Sequence, residues 1–132
     1  MSYWSIAFPG SAEYVHEVRW WTQKALGAVP GVELVVLVAS ELATNAILHT
    51  ASGEPGGMFT LHLAMFTNRW QVRVDDQGGP KTPQRAVVGE DQDEAGRGLT
   101  VVAALSSTWG FVGDEYARGV WADVLMPSEE TA

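Results

Sequence analysis

The chain opens on an alternation of period two: over residues 3–8, Trp4, Ile6 and Phe8 fall on one side, the pattern of a half-buried strand. Pro9-Gly10 breaks it, and Ser11 stands where an N-cap is favoured, ahead of a helix to about residue 26. Within that helix Val15, Val18, Trp21 (or Trp20) and Ala25 recur near helical spacing. Residues 27–31 form a connection. Residues 32–49 are a nearly continuous apolar helix, so its few polar members sit where burial must be compensated. A Gly/Pro loop over residues 51–57 precedes two alternating strands, Phe59, Leu61, Leu63, Met65 and then Trp70, Val72, Val74. Thr67-Asn68-Arg69 between them predicts a hairpin. Residues 77–97 show no period. They are broken by Gly78, Gly79, Pro80, Pro83 and Gly89, they carry Glu90, Asp91, Asp93 and Glu94, and they read as a long mobile loop of the kind usually kept for function. A third helix from Leu99 to about Ser107, a strand over 108–112, a turn at Gly113-Asp114-Glu115 and a last strand over 120–126 complete the chain.

This order predicts an α+β fold: a two-layer α/β sandwich in which a mixed, mostly antiparallel sheet carries its helices on one face. At 132 residues there is room for one domain, expected over 1–126, with a short disordered polar tail over 127–132. An apolar fraction of 46% and a charged fraction of 18% suit a globular protein. The most apolar stretch, residues 32–48, is interrupted by Glu33, Ser40, Glu41, Thr44 and Asn45, so no membrane span and no export signal are expected. The absence of cysteine excludes disulfides and cysteine–zinc sites and fits a reducing cytoplasm. A net charge of −8 argues against a broad grip on nucleic acid and directs attention to proteins and nucleotides.

Three constellations carry candidate chemistry. Glu41 and Asn45 are four residues apart, one turn on a single helical face, and His49 continues the row. An acid, an amide and an imidazole on an oily helix either bond to neighbouring loops or serve a ligand. An amide oxygen is a hard donor of the sort Mg²⁺ shares with phosphates. Asp76 lies in phase with Trp70, Val72 and Val74, so it points inward at the end of its strand while Asp75 points out. An inward carboxylate needs a donor, and the exocyclic amine of adenine is one; a plain strand-to-turn exit is the alternative. Gly96-Arg97-Gly98-Leu99 opens a helix, a general anion site when backbone N–H groups and the positive dipole end are exposed. The three histidines share no metal-ligand spacing and Asp75 and Asp76 face opposite ways, which disfavours a metal hydrolase.

Together and in this order, Glu41-x-x-x-Asn45, Asp76-x-Gly78 and Gly96-x-Gly98-Leu99 resemble the asparagine box and first two glycine boxes of the GHKL ATPase superfamily. Histidine kinases, DNA gyrase and MutL mismatch-repair proteins share that domain, the Bergerat fold. More narrowly, the stretches beginning Glu41-Leu42-Ala43-Thr44-Asn45, Gly96-Arg97-Gly98-Leu99 and Gly119-Val120-Trp121-Ala122 resemble bacterial anti-sigma-factor serine kinases and the stand-alone ATP-binding regulators of actinobacteria. The resemblance runs from about Ser11 to Met126. It implies ATP and Mg²⁺ as cofactors, Asn45 as the metal ligand and Asp76 as acceptor for the adenine amine. Gly78 would shape the adenine pocket, His49 would line the nucleotide, and Gly96, Arg97, Gly98 and Leu99 would wrap the phosphates under a lid. Glu41 would be the base that activates an acceptor hydroxyl.

The function so implied is a cytoplasmic serine/threonine kinase that phosphorylates a STAS anti-anti-sigma protein and regulates transcription through a sigma factor, with a homodimer expected weakly. The alternative is a non-catalytic nucleotide-binding switch. Pro80 stands where a second glycine is often found, Val120 where a threonine often follows the third glycine, and the lid is short and acidic for the superfamily.

Overall fold

The structure is a computed structural model that describes residues 2–79 and 94–127. The elements run β1 (Ser2–Pro9), α1 (Tyr14–Leu26), α2 (Val32–His49), a 3-10 turn (Ala51–Gly53), β2 (Met58–Met65), β3 (Arg69–Asp76), α3 (Glu94–Leu105), β4 (Thr108–Gly113) and β5 (Arg118–Leu125). The strands form one sheet in the order β1-β2-β3-β5-β4, and every pairing is antiparallel. This narrows the expectation of a mixed sheet. β2–β3 and β4–β5 are sequential hairpins, whereas β1–β2 and β3–β5 are antiparallel pairs connected through intervening elements, α1 and α2 in the first case and α3 and β4 in the second.

Alternation along the strands sorts the residues as a one-sided sheet demands. Phe8, Phe59, Leu61, Leu63, Trp70, Val72, Val74, Val120, Ala122 and Val124 are buried on one face. There they meet Val18, Val35, Val38, Leu42, Ala46, Leu99 and Val102 of the helices. The other face is polar. His62 shares a hydrogen bond with Tyr3 Oη and another, 2.9 Å long, with Asp75, whose second oxygen accepts from Arg73 Nε at 2.6 Å. Gly119 makes room for that chain, since a Cβ there would stand 2.5 Å from Asp75 Oδ1 and 2.7 Å from Arg73 Nε.

Helix α2 is the centre of the helical layer: α1 and α3 pack on either side of it, and it lies on β3, with further contacts to β2 and β5. By length and composition alone it could cross a membrane (18 residues, mean hydropathy 1.5), but 56% of it is buried inside the fold, as befits a core helix. Two boundaries differ from expectation. Helix α1 begins at Tyr14, and Ser11 is not its cap; the Ser11 hydroxyl donates to Glu13 instead, at 3.3 Å. The inward row of α1 is Val18, Thr22 and Leu26, which leaves Trp20 and Trp21 on the surface at 46% and 42% exposure. Helix α3 starts at Glu94, five residues before Leu99, because Glu and Ala at 94 and 95 are good helix formers and extend the helix N-terminally. The expected lid lies mostly outside the described residues, as does the tail beyond Pro127.

The turn after α2 is held by close backbone approach. A Cβ on Gly53 would lie 1.7 Å from the Ile47 carbonyl oxygen, and one on Gly10 would lie 1.6 Å from that of Ser52. Gly53→Ala should therefore destabilise the fold by about 3 kcal/mol or more, since backbone must move to admit the methyl. Gly56→Ala, where φ is +80° and nothing lies within 4 Å, should cost only about 1–2 kcal/mol of left-handed strain. Urea denaturation of the two variants beside the wild type measures the difference. Equal losses would contradict the packing described.

Candidate functional site

Asn45, in the penultimate turn of α2, is only 6% exposed. Other polar groups on this helix satisfy themselves locally: Ser40 Oγ donates to Leu37 O at 2.9 Å, Thr44 Oγ1 to Ser40 O at 2.8 Å, and Thr50 Oγ1 to Ala46 O at 2.6 Å. The Asn45 amide forms no side-chain hydrogen bond among the described residues, although an amide offers up to four. Glu41, one turn earlier and half-buried, likewise has no ion pair or side-chain hydrogen bond among them. The backbone-bridging alternative for Glu41 therefore has no partner in the described residues. His49 ends the row, half-buried, at the last residue of α2.

The exit of β3 is lashed to the turn that follows α2. Ala51 N donates to Gly78 O at 2.8 Å, Gln77 N donates to Ser52 Oγ at 3.0 Å, and Ser52 N donates to Thr50 Oγ1 at 3.0 Å. Gly79 closes against the helix end, where a Cβ would stand 3.0 Å from His49 O. These bonds bring Asp76–Gly79 alongside the final turns of α2 that carry Asn45 and His49. Gly78 is required on steric grounds. Its φ is +75°, and a Cβ would fall 2.2 Å from the carbonyl oxygen of Glu115 in the β4–β5 turn.

Asp76 occupies the inward register as expected and is 6% exposed. Its Oδ1 accepts from Gly78 N at 2.7 Å, while Oδ2 is buried without a hydrogen-bond partner among the described residues. Burial pushes the carboxyl pKa up from its ordinary value. The Gly78 N–H and the Arg118 guanidinium oppose the rise, and the neighbouring Asp75 charge adds to it. A buried carboxylate oxygen without a donor is costly by itself.

Arg118 was not found by sequence reasoning. It is 7% exposed, lies opposite Asp76 across the β3–β5 pair, donates from Nη2 to Gly79 O at 3.0 Å and sits over the Phe111 ring. The signal was present, because Arg118 is in phase with the inward Val120, Ala122 and Val124 and is thus a basic group in a core register. Ser52, fully buried, escaped notice as one serine in a Gly/Pro loop.

In α3, Gly96 falls in the first turn, where backbone N–H groups lack intrahelical acceptors, while Gly98 and Leu99 lie far enough in to bond back to Glu94 and Ala95. Leu99 is 2% exposed in the hydrophobic core, so its side chain packs the fold. The Arg97 side chain lies outside the described residues. The packing of α3 along α2 sets this helix start on the same side of α2 as the rest of the helical layer.

The fold, a helical layer on one face of an antiparallel sheet, is that of an ATPase-type domain. The chain belongs to the histidine kinase-like ATPase domain family, whose model matches residues 8–119. This agrees with the GHKL resemblance. It is 29% identical over 122 residues to serine-protein kinase RsbW of Bacillus velezensis, a match covering 80% of this chain and 74% of RsbW. The fold is also that of the histidine kinase AdeS of Acinetobacter baumannii, with a TM-score of 0.54 at 14% identity over 97% of this chain and 69% of that one.

The raised pKa of Asp76 makes a stability prediction. Between its unfolded value of 3.8 and its higher folded value, the folded chain holds more proton than the unfolded one. Stability therefore falls as pH rises through that window, and the deficit is full above the folded value. Asp76→Asn removes the deficit, so the nucleotide-free variant should melt above wild type at neutral pH, by roughly 4 °C for each kcal/mol relieved. The gap should close as the pH falls below 3.8. Melting curves across pH check this, and a gap that ignores pH would contradict the buried, orphaned carboxylate.

Proposed function

We propose that this chain binds Mg²⁺–ATP between α2, the β3 exit and the start of α3, and transfers the γ-phosphoryl group to a serine or threonine of a STAS anti-anti-sigma protein. The observation that carries the reading is Asp76, with one oxygen spent on Gly78 N–H and the other buried and unmatched. Adenine offers an amine donor at that point, whereas guanine offers an acceptor, so the site favours ATP over GTP. The unpartnered Asn45 amide fits a metal that takes one neutral oxygen from the protein and the rest from phosphates and water. Mg²⁺, when bound, supplies charge neutralisation at the phosphates. Gly96 and the open N–H groups of α3 suit the phosphate end, joined by Arg97 in the proposed closed site.

In the proposed reaction the acceptor hydroxyl oxygen bonds to the γ-phosphorus as the bond to the β–γ bridging oxygen breaks. ADP leaves with that electron pair, and the hydroxyl proton passes to the Glu41 carboxylate. Similarity to serine-protein kinase RsbW supports a protein serine as the acceptor; the cytoplasmic setting and the sigma factor as regulated partner are proposed from the resemblance to anti-sigma-factor kinases. A nucleotide switch without transfer is the second reading. It is favoured by Val120, a buried apolar residue where related chains often carry a hydroxyl.

Two substitutions separate the steps. Asn45→Ala should reduce Mg²⁺-dependent ATP affinity by at least about tenfold in calorimetric titration, while the melting curve stays close to wild type. Glu41→Gln should bind ATP normally and lose phosphoryl transfer by about 10²–10⁴-fold, read by labelled phosphate on STAS substrates. ATP binding without transfer by wild type leaves the switch reading. Unchanged ATP affinity in Asn45→Ala removes that residue from the site.

A further inference from the structure

Basic side chains are rarely buried unless a specific partner holds them. Arg118, the first residue of β5, is 7% exposed and shares the inward register of Val120, Ala122 and Val124. On the β4 side its cross-strand neighbour is Gly113, whose φ of +93° and close approach to the Arg118 Cα exclude a side chain there. On the β3 side its neighbour is Asp76. Directly opposed residues on one face stand about 5 Å apart at Cβ. The guanidinium carbon lies 6.0 Å from the centre of the Phe111 ring, and Nη2 reaches past the end of β3 to donate to Gly79 O at 3.0 Å.

Arg118 thus acts on both ends of the stretch Asp76-Gln77-Gly78-Gly79. At one end its charge opposes the rise that burial imposes on the Asp76 carboxyl. At the other its hydrogen bond fixes the Gly79 carbonyl. Between the two, Gly78 N donates back to Asp76 Oδ1 at 2.7 Å, which spends one carboxylate oxygen and leaves Oδ2 open. A bond closed over two residues holds only while the intervening backbone keeps its course. Ala51 N secures that course from the α2 side, through Gly78 O at 2.8 Å, and Arg118 secures it from β5. An aliphatic residue at position 118 would continue the apolar row of β5 at a smaller desolvation cost, but it would offer Gly79 O no donor.

We propose that Arg118 is a positioning residue for purine recognition: by holding the Gly79 carbonyl it keeps the Asp76 carboxylate turned so that its free oxygen selects a 6-amino group. This rests on the adenine contact proposed above and adds the residue that makes the contact selective. Arg118 acts through Gly79, Gly78 and Asp76, whereas the metal and phosphate groups of the proposed site stand on α2 and α3. Its loss therefore erodes discrimination between bases more than the grip on the triphosphate.

The test titrates the intact chain, with Mg²⁺, against ATP and against purine riboside triphosphate, which differs from ATP only in lacking the 6-amino group. Wild type should prefer ATP by about tenfold or more, as for a hydrogen bond to a charged group. Arg118→Met should lower that preference to about twofold or less, with affinity for purine riboside triphosphate within about twofold of wild type. Arg118→Lys keeps the charge opposite Asp76 but loses the planar fork, and should fall between the two. Phe111→Leu removes the ring beside the guanidinium, alters nothing in residues 76–79, and should lower the preference in the same direction. It carries the test if melting curves show that Arg118→Met does not fold. An unchanged preference in the folded variants overturns the proposal. So does an equal loss for both nucleotides, which is what a merely structural Arg118 would give. Wild type that binds both nucleotides alike removes the adenine contact instead, and wild type that binds neither removes the nucleotide reading.

Discussion

The candidate site depends on one backbone junction, the docking of the β3 exit against the turn that closes α2. Three main-chain N–H groups, from Ala51, Ser52 and Gln77, are satisfied within or across it, and the approach is close enough that Gly10, Gly53, Gly57 and Gly78 all lack room for a methyl group. Buried backbone donors must find acceptors, so this junction has few alternative arrangements. Everything chemical hangs from it. It draws the β3 exit, which carries Asp76, against the turn that ends α2, and Arg118 ties down Gly79. Loosening the junction would separate the amide from the carboxylate without touching either.

The electrostatics of the site make sense only as a compromise. Asp76 is held where ionisation is disfavoured by burial, and the two groups that relieve it, the Gly78 N–H and the Arg118 guanidinium, do so incompletely. Full pairing of Asp76 with Arg118 would stabilise the resting fold and leave no acceptor for the adenine amine proposed to bind there. The observed arrangement sends Nη2 of Arg118 to the Gly79 carbonyl instead. The buried carboxylate is therefore left under-satisfied at the place where the proposed nucleotide contact needs an open acceptor. The polar chain Tyr3–His62–Asp75–Arg73 on the opposite face shows the contrast: there, in reach of water, Asp75 is matched on both oxygens.

Much of this was legible in the order of residues. All five strands were located to within two residues, three of them by period-two patterns, and phase alone placed Asp76 inward and Asp75 outward. The four-residue spacing of Glu41 and Asn45 and the uniform oiliness of α2 marked them as polar groups on one face of a largely buried helix, which is where the structure has them. What stayed hidden was tertiary. The exposed positions of Trp20 and Trp21 follow from the roll of α1 about its axis, which the Val18–Thr22–Leu26 row decides and which tryptophan's apolar character masks. Arg118 and Ser52 act through backbone partners distant in sequence, Gly79 and Gln77, and no local pattern announces such pairings. The start of α3 was misplaced because glycine suggested a helix entrance, whereas Glu94 and Ala95 carry the helix through it.

The contact between Gly78 and Glu115 has a consequence for how such chains diverge. Two demands fall on neighbouring positions of one motif, and they are of different kinds. In the proposed function Asp76 is held only by the nucleotide it would bind, since in an empty site it is a burden that many substitutions would lift. Gly78 is held by the carbonyl of the β4–β5 turn, which leaves no space for any side chain whether or not nucleotide is ever present. If the proposed adenine contact holds, a descendant that ceased to need it would be free to drift at position 76 while remaining glycine at position 78. Across a lineage, the surviving glycine records the architecture, and the aspartate records the use to which it is put.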